Sequence, residues 1–203
     1  LLLERLHVAK LFIGYDHRFG HNRAEGFADY VAYGREMGME VVQNPVFELE
    51  GVNVSSTVCR RHVAAGEMEA ASRCLGYPYR MGGRVVAGFQ EGRKLGFPTA
   101  NIQLADPRCL VPASGVYAVR VKVGDEAMWR LGMMNIGTRP TFGGDKVSLE
   151  VHIFDFAGDL YGQEVEVAFL RRVREERKFA SPEELAAQLA RDKQTILDAC
   201  YLS

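Results

Sequence analysis

The spacing of apolar residues changes character along the chain. Residues 8 to 15 form a compact apolar run that predicts a buried strand. Phe27, Tyr30, Val31, Gly34 and Met37 then recur at helical spacing, before a second strand predicted over 40 to 47. Strand, helix, strand predicts an α/β layer with a parallel sheet, whose ligands sit beyond the carboxyl ends of its strands. Ser55-Ser56-Thr57 offers an N-cap to a short helix through Val63, and Gly66 separates it from a second helix, Met68 to Leu75. Gly76-Tyr77-Pro78-Tyr79 punctuates the chain and marks the expected domain boundary, with one module over 1–79 and another over 80–203.

Beyond Gly83 the period shortens. Runs at 84–87, 116–123, 127–136, 147–154 and 164–170 are β-rich and separated by Gly, Pro and Asp clusters, which predicts an antiparallel barrel or sandwich. Ser181-Pro182-Glu183-Glu184 then supplies an N-cap, an N1 proline and an N3 glutamate. Leu185, Leu189, Ile196, Leu197 and Cys200 continue one apolar face, so a closing amphipathic helix is expected on the barrel.

With 203 residues, 47% of them hydrophobic, the chain has enough apolar content for one large domain or two small ones. The formal net charge of -1 supplies no broad basic field, which argues against nucleic acid or an anionic membrane surface as partner and leaves any phosphate binding local. Cys59, Cys74, Cys109 and Cys200 are widely spaced with no C-x-x-C pair, a pattern suited to a reducing cytoplasm. Apolar runs fall short of a membrane span and no signal-peptide pattern opens the chain, so a cytoplasmic protein is expected. Leu1 starts inside an apolar, helix-like run without an initiator Met, which predicts a longer natural protein.

The chemistry concentrates in a few stretches. Between Gly88 and Ile102, Gly88, Gly92 and Gly96 let the backbone bend round an anion that Arg93 and Lys94 can neutralise, although the glycine spacing is not that of a P-loop. Thr99 and Asn101 are two apart, so in an extended segment both offer oxygens from one face to a hard cation such as magnesium; a plain hairpin explains the same stretch. Alternation over 148–156 puts Glu150 and His152 on one face and Leu149, Val151 and Ile153 on the other. Glu150 there suits either a general base in phosphoryl transfer or a solvated outer face. The charge run Arg171, Arg172, Arg174, Glu175, Glu176, Arg177, Lys178, ending at Phe179, reads equally as phosphate- and ring-binding groups or as a charged connecting loop. His17 and His21 follow the first strand but lack a third ligand for a metal. Ser55, Ser56, Thr57 and Arg60 could meet a phosphate at a helix N-terminus or serve only as a helix cap.

In this order along the chain, the stretches at 14–20, 55–60, 75–79, 92–102 (Gly-Arg-Lys-Leu-Gly-Phe-Pro-Thr-Ala-Asn-Ile), 115–117, 135–142 and 150–156 resemble the bacterial bifunctional riboflavin kinase / FMN adenylyltransferase family, the FAD synthetases. The resemblance implies an α+β chain: an incomplete Rossmann-like nucleotidyltransferase module, then a six-stranded antiparallel Greek-key β-barrel with a C-terminal helix. It implies transfer of the ATP γ-phosphoryl to the 5′-hydroxyl of riboflavin, giving FMN. By the same resemblance Glu150 is the base. Gly88, Arg93, Gly96 and Thr99 bind ATP, Thr99 and Asn101 hold Mg2+, and Asn101, Arg174, Arg177 and Phe179 meet the flavin. Ser55, Ser56, Thr57 and Arg60 remain from the adenylyltransferase site. The family's His-x-Gly-His element is absent from this chain, so FAD formation is expected only of a longer protein. His17, Val58 and Cys59 depart from the family's usual residues. A non-catalytic flavin- or nucleotide-binding module is the alternative, and it has no need of Glu150.

Overall fold

A computed structural model describes residues 3–15, 25–49, 51–88, 92, 95–141 and 144–201, with the side chains at 139–141, 144–146 and 201 excepted. The chain divides into two compact units, Leu1–Val54 and Ser55–Ser203. In the first, strand β1 (Lys10–Gly14) pairs in parallel with β2 (Glu40–Asn44) across helix α1 (Phe27–Glu36), the strand-helix-strand order that the apolar spacing predicts. Two-residue strands β3 (Glu48–Leu49) and β4 (Val52–Asn53) close it as a small antiparallel pair.

The second unit opens with α2 (Ser56–Ala65) and α3 (Met68–Leu75). Ser55 caps α2 by accepting from the Val58 N–H at 3.3 Å. Val63, Met68 and Ala71 of this hairpin belong to the same core cluster as the barrel residues Tyr117 and Phe169. The sequence places the boundary after residue 79, whereas the compact units part at Val54. The apolar stripe of two short helices needs a core to bury against, and the barrel provides it.

Strands β5 (Arg80–Val86), β6 (Ala100–Leu104), β7 (Gly115–Val123), β8 (Arg130–Thr141), β9 (Gly144–Ile153) and β10 (Glu164–Arg174) close into a barrel in the order β10-β5-β6-β9-β8-β7. All pairs are antiparallel. β7, β8 and β9 form a meander and β10 returns beside β7, the spatial order of a Greek key. The inner face is dry: Tyr117, Val119, Val121, Met134, Val151 and Phe169 are all nearly inaccessible.

Part of the outer wall is buried as well. Helix α4 (Pro182–Tyr201) lies over it, and Ile196 packs with Val116, Ala118, Met133 and Phe154, supported by Leu189, Leu197 and Cys200. This explains why β7 reads as a continuous apolar run at its start and alternates only at Arg120 and Lys122: both faces are covered near residue 117. Burying each of these aliphatic side chains contributes about 1.5–3 kcal/mol before the entropy of ordering them is set against it. The capping box forms with one shift. Ser181 Oγ accepts from the Glu184 N–H at 3.3 Å, while the Glu184 carboxylate reaches back to the Ala180 N–H at 3.1 Å.

Two elements depart from the sequence expectation. β6 is a strand that the apolar pattern does not mark, because Ala100-Asn101-Ile102-Gln103-Leu104 carries few branched or aromatic residues. β10 runs on through Arg174, so the first arginines of the charge run are strand residues beside β-bulges rather than a loop.

Candidate active site

The register of the barrel assembles the site. Asn101 on β6 pairs with Glu150 on β9, and Glu150 pairs with Asn135 on β8. Asn135 pairs with Val116 on β7, and Val116 with Arg174 on β10. Directly paired residues project from the same side of a sheet. Since Leu149, Val151 and Ile153 fill the interior, this row lies on the outer wall. Glu150 and His152 therefore share a face, as alternation predicts, and the face is covered rather than solvated: His152 is 8% exposed.

Two clefts meet at Thr99, one on this wall and the other lined in part by the interior residues Val85, Val151 and Ile153. One, of about 780 Å³, is lined by Glu150, Asn135, His152, Phe97, Arg177 and Phe179 among others, and runs under the N-terminal turn of α4. The other, of about 730 Å³, is lined by Val85, Pro98, Ala100, Phe156, Asp159 and Tyr161 among others. Both are of a size to enclose a small molecule. Thr99 lines both. Its hydroxyl donates to Glu150 Oε2 at 3.4 Å, so the hydroxyl oxygen and the carboxylate stand together at the junction.

Asn101 lines neither cleft, and its amide stands over Gly88. A Cβ on Gly88 would stand 1.9 Å from Asn101 Nδ2, which only glycine avoids. Gly96 has φ +81°, a left-handed conformation that favours glycine and turns the chain back toward Phe97. Arg93, His17 and His21 lie outside the described residues. No cluster of three or more His, Cys, Asp or Glu able to hold a metal occurs among the described residues. The Thr99, Asn101 and Glu150 oxygens instead suit a cation brought in with phosphate, since Mg2+ takes one or two protein oxygens and completes its shell from phosphate and water.

Arg174, Arg177 and Phe179 converge on the larger cleft. Arg177 stacks over the Phe179 ring at 4.7 Å and Arg174 at 5.6 Å. The Arg174 fork is already engaged: Nε and Nη2 each lie 2.9 Å from Asp192 Oδ2, and Nη1 donates to the Glu175 carbonyl at 3.0 Å. Asp192 is 2% exposed and also accepts from Gln188 Nε2 at 2.7 Å. Arg174 thus anchors the 175–181 segment to α4. Sequence reasoning missed Asp192, Asn135 and His152. Asp192 was legible as an acid on the otherwise apolar face of the last helix and His152 as the neighbour of Glu150 on one strand face, whereas Asn135 joins them only through the β8–β9 register.

His152 Nδ1 donates to the Pro98 carbonyl at 2.8 Å; because a carbonyl only accepts, Nδ1 carries the hydrogen. Burial, helped by the Lys193 ammonium, holds this imidazole below the ordinary histidine range. Ser55, Ser56, Thr57 and Arg60 sit at the start of α2 and line neither cleft.

A closed Greek-key barrel with a carboxylate and a hydroxyl where two ligand-sized clefts meet, and amides along the same wall, has the parts of a small-molecule phosphotransferase. The riboflavin kinase family model matches residues 75–200, and the chain belongs to that family. The FAD synthetase model matches residues 1–58. The chain is 42% identical over 196 residues to the bifunctional riboflavin kinase/FMN adenylyltransferase of Escherichia coli K12, and 44% identical over 193 residues to that of Pseudomonas fluorescens. These alignments cover 96% and 95% of this chain but 61% of each relative, so the chain spans about three fifths of their length. A crystal structure described as a macrolide-efflux protein from Streptococcus pneumoniae superposes with a TM-score of 0.82 at 37% identity, over 90% of this chain and 58% of that one. No helix among the described residues is long and apolar enough to cross a membrane.

Proposed function

We propose that this chain is an ATP-dependent riboflavin kinase, converting riboflavin to FMN. The observation that carries the reading is the position of Thr99, shared by two clefts and hydrogen-bonded to Glu150. A nucleotide in the smaller cleft and riboflavin in the larger one would bring the γ-phosphate and the ribityl 5′-hydroxyl to the same junction. Phosphoryl transfer depends chiefly on such positioning and on charge stabilisation.

Glu150 accepts the proton of the 5′-hydroxyl as the oxygen bonds to phosphorus and the bond to ADP breaks. Thr99 and Asn101 would hold Mg2+ brought in with the nucleotide, and the ion would neutralise developing charge. Gly88 gives Asn101 room, while Gly96, with Arg93 beyond the described residues, shapes the nucleotide loop. Arg177 and Phe179 border the isoalloxazine, with Arg174 fixing their segment. Ser55, Ser56, Thr57 and Arg60 belong to an adenylyltransferase site whose His-x-Gly-His element this chain does not contain. FMN is therefore the expected end product here, and FAD that of a longer protein bearing that element. The module boundary at residue 79 describes these two chemistries, whereas the compact units divide at Val54.

The test is incubation with riboflavin, ATP and Mg2+ followed by chromatography of the flavins. FMN formation supports the reading. Unchanged riboflavin with flavin still bound would make the chain a binding module.

A further inference from the structure

The segment that carries Thr99, just before β6, is tied to the strand that carries Glu150 by little main chain. Among the described residues, β6 and β9 pair only at Ala100↔Val151 and Asn101↔Glu150. Continued one step, the antiparallel register would set Thr99 against His152, but the ladder has ended and residues 97–99 lie outside any strand. Pro98 has no N–H with which to extend it. What spans the gap is a side chain: His152 Nδ1 donates to the Pro98 carbonyl at 2.8 Å. The ring cannot drift, because Phe97 meets it edge-on at 5.4 Å and Phe154 packs at 5.6 Å.

We propose that His152 is a positioning residue for the kinase reaction, its imidazole replacing the missing ladder bond and keeping Thr99 in register with Glu150. The inference rests on the reading of the cleft as a riboflavin kinase site. His152 need not take a proton itself, since its Nδ1–H is committed to Pro98 and Glu150 stands at the junction. A displacement of about 1 Å among reacting groups can cost about 10²-fold in rate, so one bond two residues from the base is enough to matter.

Two variants separate this role from simple packing. His152→Phe keeps an aromatic ring between Phe97 and Phe154 but removes the donor. His152→Asn loses most of the ring but keeps an N–H near the place of Nδ1. A packing role ranks turnover with stability, Phe above Asn. The positioning role reverses the order: His152→Phe retains the higher melting temperature yet loses roughly tenfold or more in kcat, a conservative share of that misplacement cost. His152→Asn melts lower and recovers most of kcat. Near-normal turnover in His152→Phe, or turnover in His152→Asn as poor as in His152→Phe, overturns the proposal. If the unaltered chain makes no FMN, the kinase reading fails instead, and nitrogen-15 NMR of that chain judges the tether alone. An Nδ1-protonated, slowly exchanging His152 supports it, and the Nε2-protonated tautomer overturns it.

Discussion

Thr99 Oγ1 lies 3.4 Å from Glu150 Oε2 although 51 residues separate them along the chain. The contact joins the nucleotide-side segment to the strand that bears the base. Replacing Glu150 by Ala or Gln should reduce kcat for FMN formation by about 10²-fold or more while riboflavin still binds, because a positioned general base contributes on that order. Flavin chromatography and fluorescence quenching on the same preparations check both halves, and a variant with near-normal turnover would exclude Glu150 as base.

Gly88 is the second test of the junction. Gly88→Ala places a methyl 1.9 Å from Asn101 Nδ2, so the amide must move away from the start of β6. Overpacking of this kind costs about 1–3 kcal/mol, and the displaced Asn101 should raise the KM for Mg·ATP more than that for riboflavin. Steady-state kinetics with each substrate varied in turn reads the difference.

Asp192 tests the anchor of the 175–181 segment. Asp192→Ala leaves Arg174, 18% exposed, without its carboxylate, and breaking a buried ion pair costs about 3 kcal/mol or more. For a chain of this size that lowers Tm by roughly 6–12 °C. Asp192→Asn, which still accepts from the guanidinium, should lose less. Thermal unfolding followed by circular dichroism checks the ranking.

The buried imidazole makes stability depend on pH. Folded His152 titrates below the ordinary histidine value of 6.5, through burial first, then the Lys193 ammonium, opposed by the Pro98 hydrogen bond and by Asp155. Below 6.5 the unfolded chain therefore binds more protons than the folded one, and stability falls as pH drops from 6.5 toward the folded value. His152→Phe should flatten this part of the Tm-against-pH curve. A difference curve between the two proteins that does not change over that interval would refute the assignment.

Much of the site was legible before any fold was known. Alternation alone set Glu150 beside His152 and opposite Leu149, Val151 and Ile153, and the spacing of Thr99 and Asn101 put two oxygens on one face of an extended segment. The last helix announced itself by Ser181, Pro182 and Glu184. These are local properties, with periods of two or 3.6 residues and caps of four, so a short window contains them.

Which segments meet was decided elsewhere. Nothing near Asn101 says that it will pair with Glu150, or that Glu150 will pair with Asn135, because register between strands distant in sequence is set by closure of the whole barrel. Arg174 reads as a ligand-binding or connecting-loop cation in a charged run until α4 packs back and Asp192 takes its guanidinium. The α2–α3 hairpin reads as the tail of the first module until Met68 and Ala71 find the barrel core. Side-chain periodicity belongs to each strand and helix alone, whereas the partner that buries or pairs a given side chain exists only once the long-range contacts have formed.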